Sequence, residues 1–277
     1  MLAQELSAAP RTDRPRDGVA DYPPYPGSDR LKRACDLFVG LAVAVVAVPA
    51  IALAWLVVRL TSSGPGFYSQ LRVGRHGRAF RIYKIRTMYH NCEAKTGAQW
   101  CQKKDPRVTL VGRILRKLHI DELPQLLNVL RGDMSLVGPR PERPEFVGPL
   151  SEAIPGYRDR LAVRPGVTGL AQIQLPPDSD LESVRAKLVL DRYYVRAGGL
   201  WLDLRIILGT GVYLFGVSYA GVRRVMRLPN PLANRLRTDD TRNHVVLGPF
   251  KATLGGAEGN RPRTVGEGDP IPCGKAR

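Results

Sequence analysis

Residues 37–58 of this 277-residue chain carry no charge, and Arg59 closes the run. As one helix, these 22 residues are long enough to cross a hydrocarbon core of about 30 Å. Hydropathy alone reads the segment as a single span. Two details favour a different path. Pro49 lies near the middle, where it removes a backbone hydrogen bond and tends to kink a helix. Both flanks are basic, with Arg30, Lys32 and Arg33 before the segment, whereas a span usually shows a Lys/Arg bias on one side. A bent hairpin entering and leaving one leaflet accounts for both details. Both readings stay open from the residues alone.

The charge balance narrows the partners. Lys and Arg outnumber Asp and Glu 42 to 25, for a net charge of +17. Such a surplus favours an anionic partner: nucleic acid, an acidic lipid surface or phosphorylated substrates. Residues 59–88 hold seven Lys/Arg and no acid, directly after the apolar segment. Basic residues beside an apolar segment attract anionic membrane lipids at about 1 kcal/mol each near the surface. Few aromatics interleave with the basic residues, which disfavours a base-stacking surface for nucleic acid. Cys35, Cys92, Cys101 and Cys273 form no Cys-x-x-Cys pair, and four histidines are scattered. Neither a disulfide scaffold nor a zinc site is expected, and reduced thiols fit a cytoplasmic setting.

Residues 1–29 are rich in Pro, Arg and Asp without periodicity and read as a flexible tail. Short alternating stretches around Phe67-Tyr68 and Phe80-Arg81-Ile82-Tyr83, with Gly74 and Gly77 between, predict a small hairpin. From 111 to 130, Ile114, Leu115, Leu118, Leu123, Leu126, Leu127 and Leu130 recur at helical spacing. Asp121-Glu122-Leu123-Pro124 interrupts them and predicts a new helix start, with Asp121 as N-cap and Pro124 in the first turn. Residues 182–195 read as a helix. Residues 201–223 are apolar but carry Asp203 and Arg205, predicting an interfacial amphipathic helix. From 228 to 277 the chain is Gly-, Pro- and Arg-rich and reads as a disordered tail.

Adjacent acids are common on solvated helices, but Asp121-Glu122 sits where free N–H groups and the helix dipole favour negative charge. Lys103, Lys104, Arg107, Arg113, Arg116 and Lys117 precede the pair, enough cations to hold a diphosphate. A carboxylate attacking phosphorus needs its target's charge neutralised by Arg/Lys or a divalent metal. Gly138-Pro139-Arg140-Pro141 is a stiff loop, where two prolines hold Arg140 ready for a bidentate phosphate contact or simply shape a turn. Asp191 shares a helical stripe with Val184, Leu188 and Val195, so its carboxylate needs a partner: it binds a metal, holds an Arg or, the reading favoured from the residues alone, forms a structural ion pair. His119 lies two residues before Asp121, a position more often incidental than catalytic.

Several segments together resemble one family, the monotopic polyprenyl-phosphate phosphoglycosyl transferases, or bacterial sugar transferases. The matching stretches are Gly64-Pro65-Gly66 with Gln70 and Arg72, the run from Phe80 to Met88, and Asp121-Glu122-Leu123-Pro124-Gln125 with Asn128. They continue with the run from Gly132 to Pro141, Arg164-Pro165-Gly166-Val167-Thr168-Gly169 with Ala171-Gln172, and Asp191 with Tyr193-Tyr194. The resemblance covers about residues 31–210 and is closest to the compact form of the family. It implies that Asp121 is a nucleophile toward the sugar-side phosphorus of a UDP-sugar, releasing UMP, and then passes the phosphosugar to undecaprenyl phosphate. It further implies that Glu122, with Asp121, associates with Mg²⁺. It places Arg116, Arg140 and Asp191 with Pro139 and Pro141 at the substrate, and offers Lys84 and Arg86 as further phosphate-proximal cations. The family's membrane element is a helix-break-helix, which assigns residues 30–60 to a hairpin broken at Pro49. Where the family often has Ser before that proline, this chain has Val48.

The expected fold is α+β and mostly helical, with a membrane-embedded re-entrant helix, amphipathic interfacial helices and a small β element. Residues 61–227 would form the catalytic domain on the cytoplasmic face of the bacterial inner membrane. The resemblance implies the first membrane step in assembling an exopolysaccharide, O-antigen or protein-linked glycan. It leaves homo-oligomer formation open, and no motif selects the sugar. Two other readings remain: a membrane-anchored nucleic-acid-binding protein, which gives Asp121-Glu122 no role, and a catalytically silent scaffold of the same fold.

Overall fold

The computed structural model describes residues 29–92 and 105–233. The predicted tails, apart from Asp29 and residues 228–233, lie outside these residues, as do Lys103 and Lys104. The described chain is mostly helical, with two two-stranded sheets.

Helix α1 (Asp29–Thr61) runs unbroken through Pro49, so the expected break in the helix at that residue is absent. Proline's fixed φ is itself helical, and the bond it forfeits is to a carbonyl four residues back, at the well-exposed Val45. The residues α1 buries (Lys32, Asp36, Gly40, Ala47, Ala54 and Val58) recur every fourth or seventh position and make one stripe. The opposite side exposes Phe38, Val45, Val46, Leu53 and Leu60. By length and composition α1 is the one described helix able to cross a membrane.

Both ends of α1 are tied to the same domain. At the start, Lys32 Nζ donates to Asp203 at 2.8 Å, and the Arg33 guanidinium donates to the carbonyls of Val129 and Leu130. Near the end, Ala54 and Val58 pack with Ile85 and Leu115.

The predicted hairpin is present: β1 (Phe67–Val73) pairs antiparallel with β2 (Ala79–Ile85) around a tight turn where His76 takes a positive φ of 57°. Helix α2 (Leu110–Lys117) starts at Thr109, whose hydroxyl accepts from Gly112 N at 2.9 Å. A 3₁₀ turn, Ile120–Gln125, leads into α3 (Leu126–Arg131). Asp121 is not the N-cap of the 3₁₀ turn as expected. That position is His119, in the left-handed region, and Asp121 lies inside the first turn.

Strand β3 (Ser135–Val137) pairs in parallel with β4 (Gly166–Thr168), and α4 (Pro144–Ala153) and a 3₁₀ turn (Tyr157–Ala162) lie between them in the chain. Helix α5 (Leu181–Ala197) opens on a reciprocal cap between Asp180 and Ser183. The single helix expected over 201–223 is two: α6 (Leu200–Leu214) and α7 (Tyr219–Val225), separated where Gly216 takes φ 88°. Asp203 and Arg205 do not form a polar face. Asp203 is buried against Lys32 and the Tyr194 hydroxyl, and Arg205 Nε donates to Met226 O at 2.7 Å. The ordered chain also outruns the expected boundary at 228, since Leu228 is buried and Gln174 Nε2 donates to Pro229 O at 3.1 Å. Val129, Met134, Leu170, Ile173, Leu190 and Ile206 form the main core, onto which Ala47 of α1 also packs.

Candidate active site

Three elements converge: β2, the 3₁₀ turn at 120–125, and the loop after β3. Asn128, on α3 directly after the 3₁₀ turn, ties this segment to β2. Its Nδ2 donates to Arg81 O at 2.7 Å and its Oδ1 accepts from Tyr83 N at 3.3 Å, both on β2. This registers Lys84 of β2 beside Glu122. Lys84 Nζ donates to Glu122 Oε1 at 2.7 Å, and Arg140 grips the same carboxylate with Nη2 to Oε1 at 2.6 Å and Nη1 to Oε2 at 3.2 Å. Arg140 Nη1 also donates to Gln172 Oε1 at 3.1 Å.

The neighbouring Asp121 is handled differently. Only 6 % of it is exposed, and its carboxylate accepts no hydrogen bond from the described residues. Burial and the adjacent Glu122 carboxylate push its pKa up, against the pull of Lys84, Arg116 and Arg140. For Glu122, burial also pushes upward, but Arg140 and Lys84 outweigh it and hold the acid well below the usual range. Burial lowers the Lys84 ammonium, with Glu122 opposing. Two adjacent carboxyls are thus set apart: one neutralised by two cations, one buried without a donor. A carboxylate short of hydrogen bonds is the more nucleophilic of the two.

Arg116 is anchored by Nε donating to Thr87 Oγ1 at 2.8 Å, and its charge reaches Asp121. The other basic residues before Asp121 do not all gather there. Arg107 forms an ion pair with Asp105 at 2.7 Å, and Arg113 and Lys117 are exposed on α2. Arg86 is elsewhere as well. Its guanidinium donates to the carbonyl and hydroxyl of Ser62 and to the Ser63 carbonyl, which pins the loop after α1.

The loop at 138–142 is held by its backbone more than by its prolines. Gly166 N donates to Pro139 O at 2.9 Å, and Arg160 Nη2 to Arg140 O at 2.9 Å. Arg72 Nη1 donates to Pro141 O at 3.0 Å, and Val73 N to Glu142 O at 2.9 Å. Gly138, Gly166 and Gly169 are required by close approach: a Cβ on any of them would strike backbone atoms across the β3–β4 pair. Asp191 lies behind this loop, 2 % exposed, in an ion pair with Arg160 at 2.9 Å. Burial pushes its pKa up, with Arg160 opposing. Its partner is an arginine, as in the structural ion pair read from the helical stripe, and it does not reach the Glu122 cluster in hydrogen-bond contact. Arg160, Gln172 and Asn128 were not picked out as site residues. Asn128 and Gln172 stand within the matching motifs, but nothing local marks Arg160.

An Mg²⁺ ion commonly takes one or two carboxylates, water and substrate phosphates rather than a full protein cage. No cluster of three His, Cys, Asp or Glu suited to a metal occurs among the described residues. The Asp121–Glu122 pair offers the two carboxylates that an ion shared with a phosphorylated substrate would take.

The chain belongs to the bacterial sugar transferase family, whose profile matches residues 27–216. It is 44% identical over 180 residues to a UDP-N-acetylgalactosamine-undecaprenyl-phosphate N-acetylgalactosaminephosphotransferase of Aeromonas hydrophila, covering 65% of this chain and 42% of that protein. It is 44% identical over 184 residues to a UDP-glucose:undecaprenyl-phosphate glucose-1-phosphate transferase of Caulobacter vibrioides, covering 66% and 68%. It is 42% identical over 187 residues to the exopolysaccharide production protein PSS of Rhizobium leguminosarum, covering 66% and 94%. The chain thus matches less than half of the first of these relatives and nearly all of the third.

Proposed function

We propose that this protein transfers a sugar 1-phosphate from a UDP-sugar to undecaprenyl phosphate. The observation that carries the reading is the unequal pair: Asp121 buried with no donor, beside Glu122 neutralised by Lys84 and Arg140. In the first step an Asp121 carboxylate oxygen attacks the phosphorus bearing the sugar. The bond to the bridging oxygen breaks and UMP departs with that oxygen. In the second step a phosphate oxygen of the lipid attacks the same phosphorus, the acyl phosphate bond breaks, and Asp121 is restored. The product is a lipid diphosphate sugar, the first membrane step of a polysaccharide or glycan.

Arg140 and Arg116 orient and neutralise the phosphates, with Lys84 holding Glu122 in place. Asp121 and Glu122 would hold Mg²⁺, whose chemistry is further neutralisation of the diphosphate. Two of these relatives support the donor and acceptor classes through their names, which specify a UDP-sugar and undecaprenyl phosphate with different sugars.

The exposed side of α1, with Trp201, Leu208 and Phe215 of the α6–α7 region, would sit in the membrane and the basic stretch against anionic lipids. Because both ends of α1 pack on one domain, both would lie on the same, cytoplasmic face of the membrane. The test is UMP release from a panel of UDP-sugars by detergent-purified protein with Mg²⁺ and undecaprenyl phosphate. Lipid-dependent UMP from one sugar would establish the reaction and name the substrate. No UMP from any sugar by folded protein would leave the silent scaffold of the same fold.

A further inference from the structure

The loop carrying Arg140 has one backbone carbonyl whose partner is neither a neighbouring strand nor packed in a core. Pro139 O, Pro141 O and Glu142 O are held from β4 or β1, but Arg140 O is held by the Arg160 guanidinium alone. That guanidinium lies between Pro139, Pro141 and Tyr157 on one side and Glu142, Lys187 and Asp191 on the other. Its centre lies 5.2 Å from the Tyr157 ring centroid, and three polar contacts aim it: hydrogen bonds from Nη2 to Arg140 O at 2.9 Å and from Nη1 to the Tyr157 hydroxyl at 2.7 Å, and an ion pair from Nη2 to Asp191 Oδ2 at 2.9 Å.

We propose that Asp191 and Arg160 are positioning residues that act through the Arg140 backbone to set where the Arg140 guanidinium meets the substrate phosphate. Asp191 aims Arg160, Arg160 fixes the Arg140 carbonyl, and the Arg140 side chain is thereby aligned on Glu122 and the phosphate beyond it. This rests on the reading of Arg140 as a phosphate contact. It departs from a role for Asp191 at the substrate itself, since Asp191 is 2 % exposed and its ion pair is to Arg160. Small displacements of a phosphate-binding group carry large rate penalties, so a buried residue can matter here without touching substrate.

A double-mutant cycle on the full-length protein separates positioning from general structural support. Asp191→Asn keeps the size and an acceptor oxygen but removes the charge, so the fold is expected to survive. Arg160→Lys serves as the second probe, because one ammonium cannot serve Asp191, Tyr157 and Arg140 O together. In the wild-type background each should lower kcat/KM for the UDP-sugar by about tenfold or more, and in an Arg140→Met background by less than about twofold. An equal loss in both backgrounds would overturn the proposal, because a merely structural role does not depend on Arg140. Should wild-type protein turn over no UDP-sugar, the catalytic reading falls, and the same cycle is read on calorimetric affinity for inorganic pyrophosphate. Weakening by Asp191→Asn only where Arg140 is present would sustain the relay, and weakening independent of Arg140, or none, would end it.

Discussion

Arg140 closes both guanidinium donors on the Glu122 carboxylate, with Nη2 2.6 Å from Oε1 and Nη1 3.2 Å from Oε2. This fork, with Lys84 on the same oxygen, leaves Glu122 fully neutralised and sets it apart from Asp121 one residue earlier.

Removing one cation from that cluster leaves a largely buried charge short of a partner. Lys84→Met is expected to cost about 1–3 kcal/mol of stability and to weaken nucleotide binding. Arg86→Lys should also lower the melting temperature, since it loses carbonyl contacts at Ser62 and Ser63. Its nucleotide affinity, however, should match wild type. Thermal melts paired with UMP titrations check both, and a loss of UMP affinity in Arg86→Lys would contradict the placement of Arg86 outside the site.

Asp121 gives a pH dependence with a definite sign. Its folded pKa is raised above the ordinary 3.8, so the native state binds its proton more tightly than the unfolded chain. The ionised side chain therefore costs stability above its folded pKa, and the cost vanishes below 3.8. In metal-free protein Asp121→Asn should melt above wild type at pH 7, by about 2–4 °C for each kcal/mol relieved. The gap should close as pH falls toward the ordinary value. A gap that widens on acidification, or an Asn variant that melts lower at pH 7, would refute the raised pKa.

The close backbone contacts at the loop carrying Arg140 predict intolerance to the smallest side chain. Gly138→Ala and Gly169→Ala would each force a Cβ into backbone across the β3–β4 pair. Losses of about 3 kcal/mol or more are expected, at the upper end for overpacking, because backbone cannot rotate away. Gly148→Ala, with open space at its Cβ, is the control and should cost little. Chemical denaturation midpoints decide the comparison.

Membrane association should depend on the side of α1 that faces away from the domain. Val46 is 75% exposed, so Val46→Arg should leave folding and soluble-nucleotide binding intact. It should sharply reduce sedimentation with phosphatidylglycerol vesicles. Unchanged partitioning would mean that this side of α1 does not enter lipid.

Much of this arrangement was legible in the sequence. Alternation and two glycines gave β1 and β2, and the helical period gave α5. Proline and acid spacing brought Asp121, Glu122 and Arg140 into view. What escaped was non-local. Asp203 looked like one polar residue on an interfacial helix because its partner, Lys32, is 171 positions away in the chain. The break between α6 and α7 falls at Gly216, one glycine in an apolar run. Arg86 sits in the same strongly matching run as Lys84, yet it leaves the site two residues later because it follows the end of β2. Arg160 carries no local signal, since its importance lies entirely in what it touches.

The central claim is that Asp121 forms a covalent bond to the phosphosugar, and intact-protein mass spectrometry tests it most directly. Wild-type protein is mixed with its UDP-sugar and Mg²⁺, without lipid acceptor, and quenched in acid. A mass gain of one sugar phosphate is expected, mapped to Asp121, discharged by undecaprenyl phosphate and absent from Asp121→Asn. UMP release with no adduct at any quench time, or an equal adduct on Asp121→Asn, would contradict it.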